Sequence, residues 1–243
     1  MKSGTRVAVA TAAMVAALGL VTGCGGSDSG DDKAKGGGAK DDASTAGKQL
    51  SVAELDKAAV TKADLKGFEF QKMSEKEISD GGAAKAAQSE CQPIAALMGA
   101  SFDPAPKESV FRTYAQSKGG KLGGSGMIRL SSYADGDAER TIKDLRAAVS
   151  ACQDGFGAKD GAGKKSDVAK VTPLDDPGQG DESLAFNLVD ASKEKAVVKF
   201  NVARTGPQLS VFFGVNLMSP AKSDVPADLV KAQVAKIAKA SAS

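Results

Sequence analysis

The chain has 243 residues, with 28 glycines, two tyrosines, and neither histidine nor tryptophan. Without an imidazole there is no Ser-His or Cys-His nucleophile, no histidine general base and no histidine ligand for a catalytic zinc. Lys and Arg (32) nearly balance Asp and Glu (30), so the basic footprint of a nucleic-acid binder is absent, and the few aromatics do not support stacking on bases or sugars.

The chain opens with two cations, Lys2 and Arg6, followed by an uncharged apolar run from Val7 to Val21. That pattern predicts a signal peptide over residues 1–23, since the run falls short of the ~20 residues that span a bilayer. Its end, Val21-Thr22-Gly23-Cys24, resembles the lipobox of bacterial lipoproteins. The resemblance implies a diacylglycerol on the Cys24 thiol, cleavage before it, and a new amino terminus open to acylation, with two or more chains giving stable anchoring. The expected location is therefore the extracytoplasmic side of the cell membrane, held by the lipid on Cys24. The plainer alternative is a secreted protein whose Cys24 merely lies near the cut. The leader holds two of the cations and no anion, so the mature chain carries no net charge and draws no attraction to an anionic surface from it.

Residues 24–49 follow as a lipidated cysteine and a tether, which over 25–48 consists of Gly, Ser, Asp, Lys, Ala and Thr and buries too little apolar surface to offset its ordering entropy. As a flexible coil this segment spans roughly 25–30 Å. A single domain is expected over residues 50–243. With Cys24 reserved for lipid, Cys91 and Cys152 remain as a pair, and the oxidising compartment predicts a disulfide between them. The loop it closes contributes roughly 4 kcal/mol on the chain-entropy model. No C-x-x-C spacing or third thiolate points to redox or metal chemistry instead.

Within the domain, Ser51 followed by Glu54 is a capping-box pattern opening a helix to about Val60. Thr61 to Leu65 offers a further helical turn ended by Gly67, and Phe68 to Met73 alternates as a strand. Residues 83–90 are alanine-rich and helix-permissive, and Pro93 suits the first turn of a helix reaching Met98 and stopped by Gly99. Ser109–Ser117 and Ser125–Ala134 read as a hairpin across the glycine-rich loop 118–124. Asp137 then caps a helix whose apolar stripe is Ala138, Ile142, Leu145, Val149 and Cys152. Four strands follow, Val168–Leu174, Leu184–Val189, Ala196–Arg204 and Leu209–Leu217. In the third, Val198, Phe200 and Val202 oppose Lys199 and Asn201, and in the fourth the apolar residues oppose Ser210, Gly214 and Asn216, giving one dry and one wetter face. A closing helix covers about Pro226 to Lys239. The predicted class is α+β, an antiparallel sheet of about five to seven strands with helices packed mainly on one face.

Catalytic patterns are weak. Ser219-Pro220-Ala221-Lys222 matches the S-x-x-K of penicillin-recognising serine enzymes, and Arg204-Thr205-Gly206 mimics their K-T-G, but the motif order is wrong and Pro220 sits where a buried helix should open. Gly119 to Ser125 has P-loop glycine spacing without the required lysine, and reads as a hairpin tip. Asp175 to Glu182 gathers four carboxylates around two glycines but departs from the EF-hand pattern, so a solvated turn is expected. No catalytic residue, metal ligand or cofactor is assigned.

Three features carry a wider resemblance: Leu50-Ser51-Val52-Ala53-Glu54-Leu55 with Thr61-Lys62-Ala63-Asp64-Leu65-Lys66-Gly67, Cys91 before an apolar helix, and the helix ending Leu145, Val149, Cys152. Over residues 50–240 the chain resembles the PknH-like extracellular sensor family of actinobacteria, though it lacks that family's usual tryptophan before the cysteine and its second cysteine pair. The resemblance implies helices on an antiparallel sheet, a ligand-binding cleft and no enzymatic activity. The expected function is a lipid-anchored, non-catalytic binding or sensing module of the envelope, its partner an envelope ligand or protein of unknown identity and not nucleic acid. The alternatives are an envelope lipid or glycolipid carrier and a Ser-Lys acyl enzyme.

Overall fold

The computed structural model describes residues 47–243 except 81, 100, 119, 120 and 217. The signal peptide, Cys24 and the tether up to residue 46 lie outside the described residues. Lys48 and Gln49, at the end of the expected tether, are hydrogen-bonded into the domain. The Lys48 carbonyl accepts from Gln208 Nε2 at 2.7 Å, and Gln49 Nε2 donates to Asp135 at 3.0 Å.

Among the described residues nine strands run in chain order: β1 Phe68–Lys72, β2 Lys85–Ala86, β3 Glu108–Lys118, β4 Lys121–Ser132, β5 Ala158–Lys159, β6 Val168–Leu174, β7 Glu182–Asp190, β8 Val197–Thr205 and β9 Gln208–Val215. Seven form one antiparallel sheet in the order β1-β3-β4-β9-β8-β7-β6, while β2 and β5 pair separately. The helices are α1 Val52–Ala58, α2 Glu75–Asp80, α3 Gln92–Met98, α4 Asp137–Ala151 and α5 Ala227–Ser241. The chain is α+β, as its patterning predicts.

The helices divide over both faces of the sheet rather than gathering on one. Phe186, Phe200, Val202, Leu209 and Val211 pack with Ile94, Ile142 and Leu145 from α3 and α4. The alternate residues Ala203 and Phe212, with Ile128, Leu130 and Tyr114, pack with Leu55, Leu229, Val234 and Ile237 from α1 and α5. The reason lies in side-chain size. On this face of β8 and β9 Ala203 and Ser210, the latter read from sequence as part of the wetter face, are both buried, and such small groups let a helix approach closely. Two cores result, separated by one sheet.

Buried polar side chains fasten the second core. Gln233 on α5 accepts from the Val60 N–H at 2.9 Å and donates to the Ala58 carbonyl at 2.9 Å. It thereby satisfies a helix-end carbonyl of α1 and an amide just beyond it that would otherwise be orphaned. The Ser51–Glu54 capping box forms as predicted at the start of α1.

Several local expectations are corrected. Residues 61–65 make a turn rather than a helix, with Asp64 accepting from the Thr61 N–H at 2.7 Å. The alanine-rich stretch forms strand β2 and then a 3-10 turn over Ser89–Cys91. Helix propensity is a weak prior there, and it yields to the β5 pairing and to Gln92, which accepts from the Ala86 N–H and donates to the Ala84 carbonyl, both at 3.0 Å. The cap of α4 is Gly136, at φ 80°, in place of Asp137. The hairpin strands reach Lys118 and Lys121, so most of the glycine-rich stretch is strand. At Gly126 a Cβ would lie 1.8 Å from the Phe213 carbonyl oxygen and 2.8 Å from the Tyr114 ring, so only glycine fits without a shift.

Candidate functional site

A broad concavity lies on the α3/α4 side of the sheet. Cys91 ends the 3-10 turn that leads into α3, and Cys152 follows the last turn of α4. The two cysteines form a disulfide with 6.0 Å between their Cα atoms, and both are buried. This staple holds together the two walls of a cleft of about 690 Å³, within the range usual for small-molecule sites. One wall is the 83–87 segment with Gln92 and Ala96 of α3, and the other is Thr141, Asp144 and Leu145 of α4. Phe102 closes one side. Alanines keep the cleft open by their small size, and the Gln92 clamp fixes the segment that carries them. A Cβ on Gly99 would stand 2.7 Å from the Ala84 nitrogen, so glycine is what lets that segment lie against the end of α3.

Directly behind Phe102 sits a charge without a counter-charge. The Arg129 guanidinium carbon lies 4.0 Å from the centroid of the Phe102 ring and 5.3 Å from that of Phe111. Its Nε donates to Ser131 Oγ at 3.1 Å, and Ser131 in turn shares a 2.8 Å hydrogen bond with Ser109. Arg129 is 5% exposed, its Nη1 has no hydrogen-bond partner, and no described carboxylate forms an ion pair with it. Burial pushes its pKa down to about 10, opposed by the nearby Tyr133 phenol, so it remains a cation at neutral pH. Tyr133 is itself buried, which raises its pKa, while Arg129 and a hydrogen bond with Thr141 act the other way. Phe102 and Thr141 line the cleft, and Arg129 and Tyr133 form the layer beneath them. The favourable face of each aromatic ring offsets part of the desolvation of the guanidinium.

Sequence reasoning missed this group. Arg129 alternates with Ile128 and Leu130, which reads as a solvent-facing cation on β4, and it is covered by residues around Phe102 that are distant in sequence. The residues of the weak catalytic and metal-like patterns do not assemble. Ser219 precedes a 3-10 turn over Pro220–Lys222, Lys222 is exposed, and no hydrogen bond joins the two side chains. Of the acidic loop, Asp181 and Glu182 pair with Arg204 at 3.4 and 3.3 Å, and Asp176 accepts from the Gly178 N–H at 2.9 Å and from the Ser183 hydroxyl. Asp181 and Glu182 thus share Arg204 while Asp176 is held within its own turn, and among the described residues no group of three His, Cys, Asp or Glu is placed to hold a metal.

No protein-family model matches the chain, and no curated protein matches it. Among solved structures it is similar to the crystal structure of the extracellular domain of PknH from Mycobacterium tuberculosis, with a TM-score of 0.50 and 8% sequence identity. The match covers 79% of this chain and 96% of that one. At that identity the likeness is one of fold.

Proposed function

We propose that the chain is a non-catalytic, ligand-binding or sensing module of the cell envelope, anchored on the extracytoplasmic side by lipid on Cys24. The observation that carries this reading is the shared fold with an extracellular domain over nearly all of that domain's length. The cleft between α3 and α4, stapled by Cys91–Cys152, supplies a place for the ligand. The Val21-Thr22-Gly23-Cys24 sequence supports the anchor and the address. A Ser-Lys nucleophile needs its base within hydrogen-bond reach, and among the described residues no hydrogen bond joins the Ser219 and Lys222 side chains, so the acyl-enzyme alternative gains no support. The lipid-carrier alternative draws less support, because Lys199, Asn201 and Asn187 make part of the second sheet face polar.

The test is a thermal-shift screen of the full-length protein against fractionated envelope small molecules, run with an Ala83→Trp variant that fills the cleft mouth. A stabilising fraction that loses its effect on Ala83→Trp is the expected result. A hydrolase or transpeptidase activity abolished by Ser219→Ala would sink the reading. For the anchor, Cys24→Ala is expected to move the protein from the membrane pellet to the soluble fraction.

A further inference from the structure

A second hollow lies on the opposite face, where α5 packs on β8 and β9 and the sheet continues beyond it to β7 and β6. Its volume is about 430 Å³, and its lining includes Leu174, Asp176, Gln179, Asn201, Val225 and Val230. Cross-strand pairing sets Asn201 opposite Ala185 and Lys199 opposite Asn187, so Asn187, Lys199 and Asn201 make one polar strip on this face. Most polar groups around it are committed. Lys199 donates to Asp224 at 2.6 Å, and Asp176 is held by Gly178 and the Ser183 hydroxyl.

Asn201 is different. It is 5% exposed and its Oδ1 is buried without a hydrogen-bond partner; the Oδ1 of Asn187 is likewise unpaired. A buried acceptor left unsatisfied works against folding, and native structures hold few of them. Its persistence at the wall of an open hollow points to a group supplied from outside. A carboxamide donates through its nitrogen and accepts through its oxygen, so its natural complement is another amide, which answers both. Asp175 and Asp176 border the hollow and Asp224 sits on Lys199, which disfavours an anion. No aromatic side chain lines it, so recognition runs through hydrogen-bonding edges with Val225 and Val230 as apolar walls.

We propose that this hollow is a second binding site, separate from the α3/α4 cleft, for a small neutral ligand bearing a carboxamide, with Asn201 as the residue that reads it. The amide can come from an acetamido sugar or from a peptide. The test is a two-dimensional ¹H–¹⁵N titration of the full-length protein with N-acetyl-D-glucosamine and with N-acetyl-L-alanine methylamide, using D-glucuronate as the anionic control. At least one amide probe is expected to give saturable shifts in residues 174–179, 199–203 and 225–230, and which one does so identifies the source. Asn201→Leu is expected to melt no lower than the parent and to bind at least tenfold more weakly. Should that variant fail to fold, Ala227→Trp, at an exposed position of the hollow's rim, is expected to show the same loss. The proposal is overturned if neither amide probe shifts these residues, if binding is unchanged in the variants, or if glucuronate binds as well as the amides.

Discussion

Replacing both Cys91 and Cys152 with alanine removes a cross-link whose partners are 61 residues apart in sequence. On the chain-entropy model, opening a loop of that size frees the unfolded chain by about 4 kcal/mol at 25 °C. For a domain of this size that corresponds to a fall in melting temperature of about 10 °C. The loss of two buried sulfur atoms adds a smaller packing cost in the same direction. Urea unfolding followed by far-ultraviolet circular dichroism measures it, and the variant should show a lower midpoint with an equal or slightly larger slope, because its denatured state is less compact. The staple joins the walls of the cleft, so amide exchange should also accelerate in α3 and at the end of α4 before the sheet is affected. A stability loss below about 1 kcal/mol would contradict stabilisation through closure of this loop in the unfolded chain.

Gln233→Leu leaves the Val60 N–H and the Ala58 carbonyl buried without partners, and a loss of about 2–4 kcal/mol is expected by urea unfolding. Arg129→Met removes a buried cation that has no counter-charge. Stability within about 1 kcal/mol of the parent, or above it, is expected by the same assay, because apolar replacement of buried charge is often neutral or favourable. For acid, Glu54 is held down to about 2, chiefly by the Lys48 hydrogen bond and then by Ser51. Burial works against ionisation of Asp56, yet hydrogen bonds from Lys72 and Arg112 outweigh it, and the Lys236 hydrogen bond leads in lowering Asp64. Depressed folded-state values mean that the stability these groups supply is complete above the ordinary carboxylate range and disappears as pH falls through it toward about 2. Melting temperature should therefore decline below about pH 4, and Asp56→Asn should flatten that decline.

Much of the scaffold was legible because its signals are local. The Ser51–Glu54 capping box, the Ile142, Leu145 and Val149 stripe of α4 and the alternation of the β6–β9 meander each depend on residues a few positions apart, and each appears where the pattern places it. The pairing of Cys91 with Cys152 was legible by elimination. The functional surfaces were not, because they are made by residues far apart in the chain. Ala83–Ala87 look helical in isolation and become a cleft wall only through Gln92 and β5. Arg129 reads as a solvent-facing cation until the ring of Phe102 covers it. Asn201 reads correctly as a polar interruption of β8, but that it is buried and unpaired follows only from the position of α5.

The central claim is that the α3/α4 cleft receives an envelope ligand and performs no chemistry on it. Hydrogen–deuterium exchange of the full-length protein, with and without an extract of envelope small molecules, tests it most directly. Slowed exchange confined to residues 83–103 and the first half of α4 is expected, reversible on dialysis and absent in Ala83→Trp, with the extract recovered unchanged. Slowed exchange unaffected by that substitution, no slowing at the cleft, or an altered extract whose alteration requires Ser219 would contradict it.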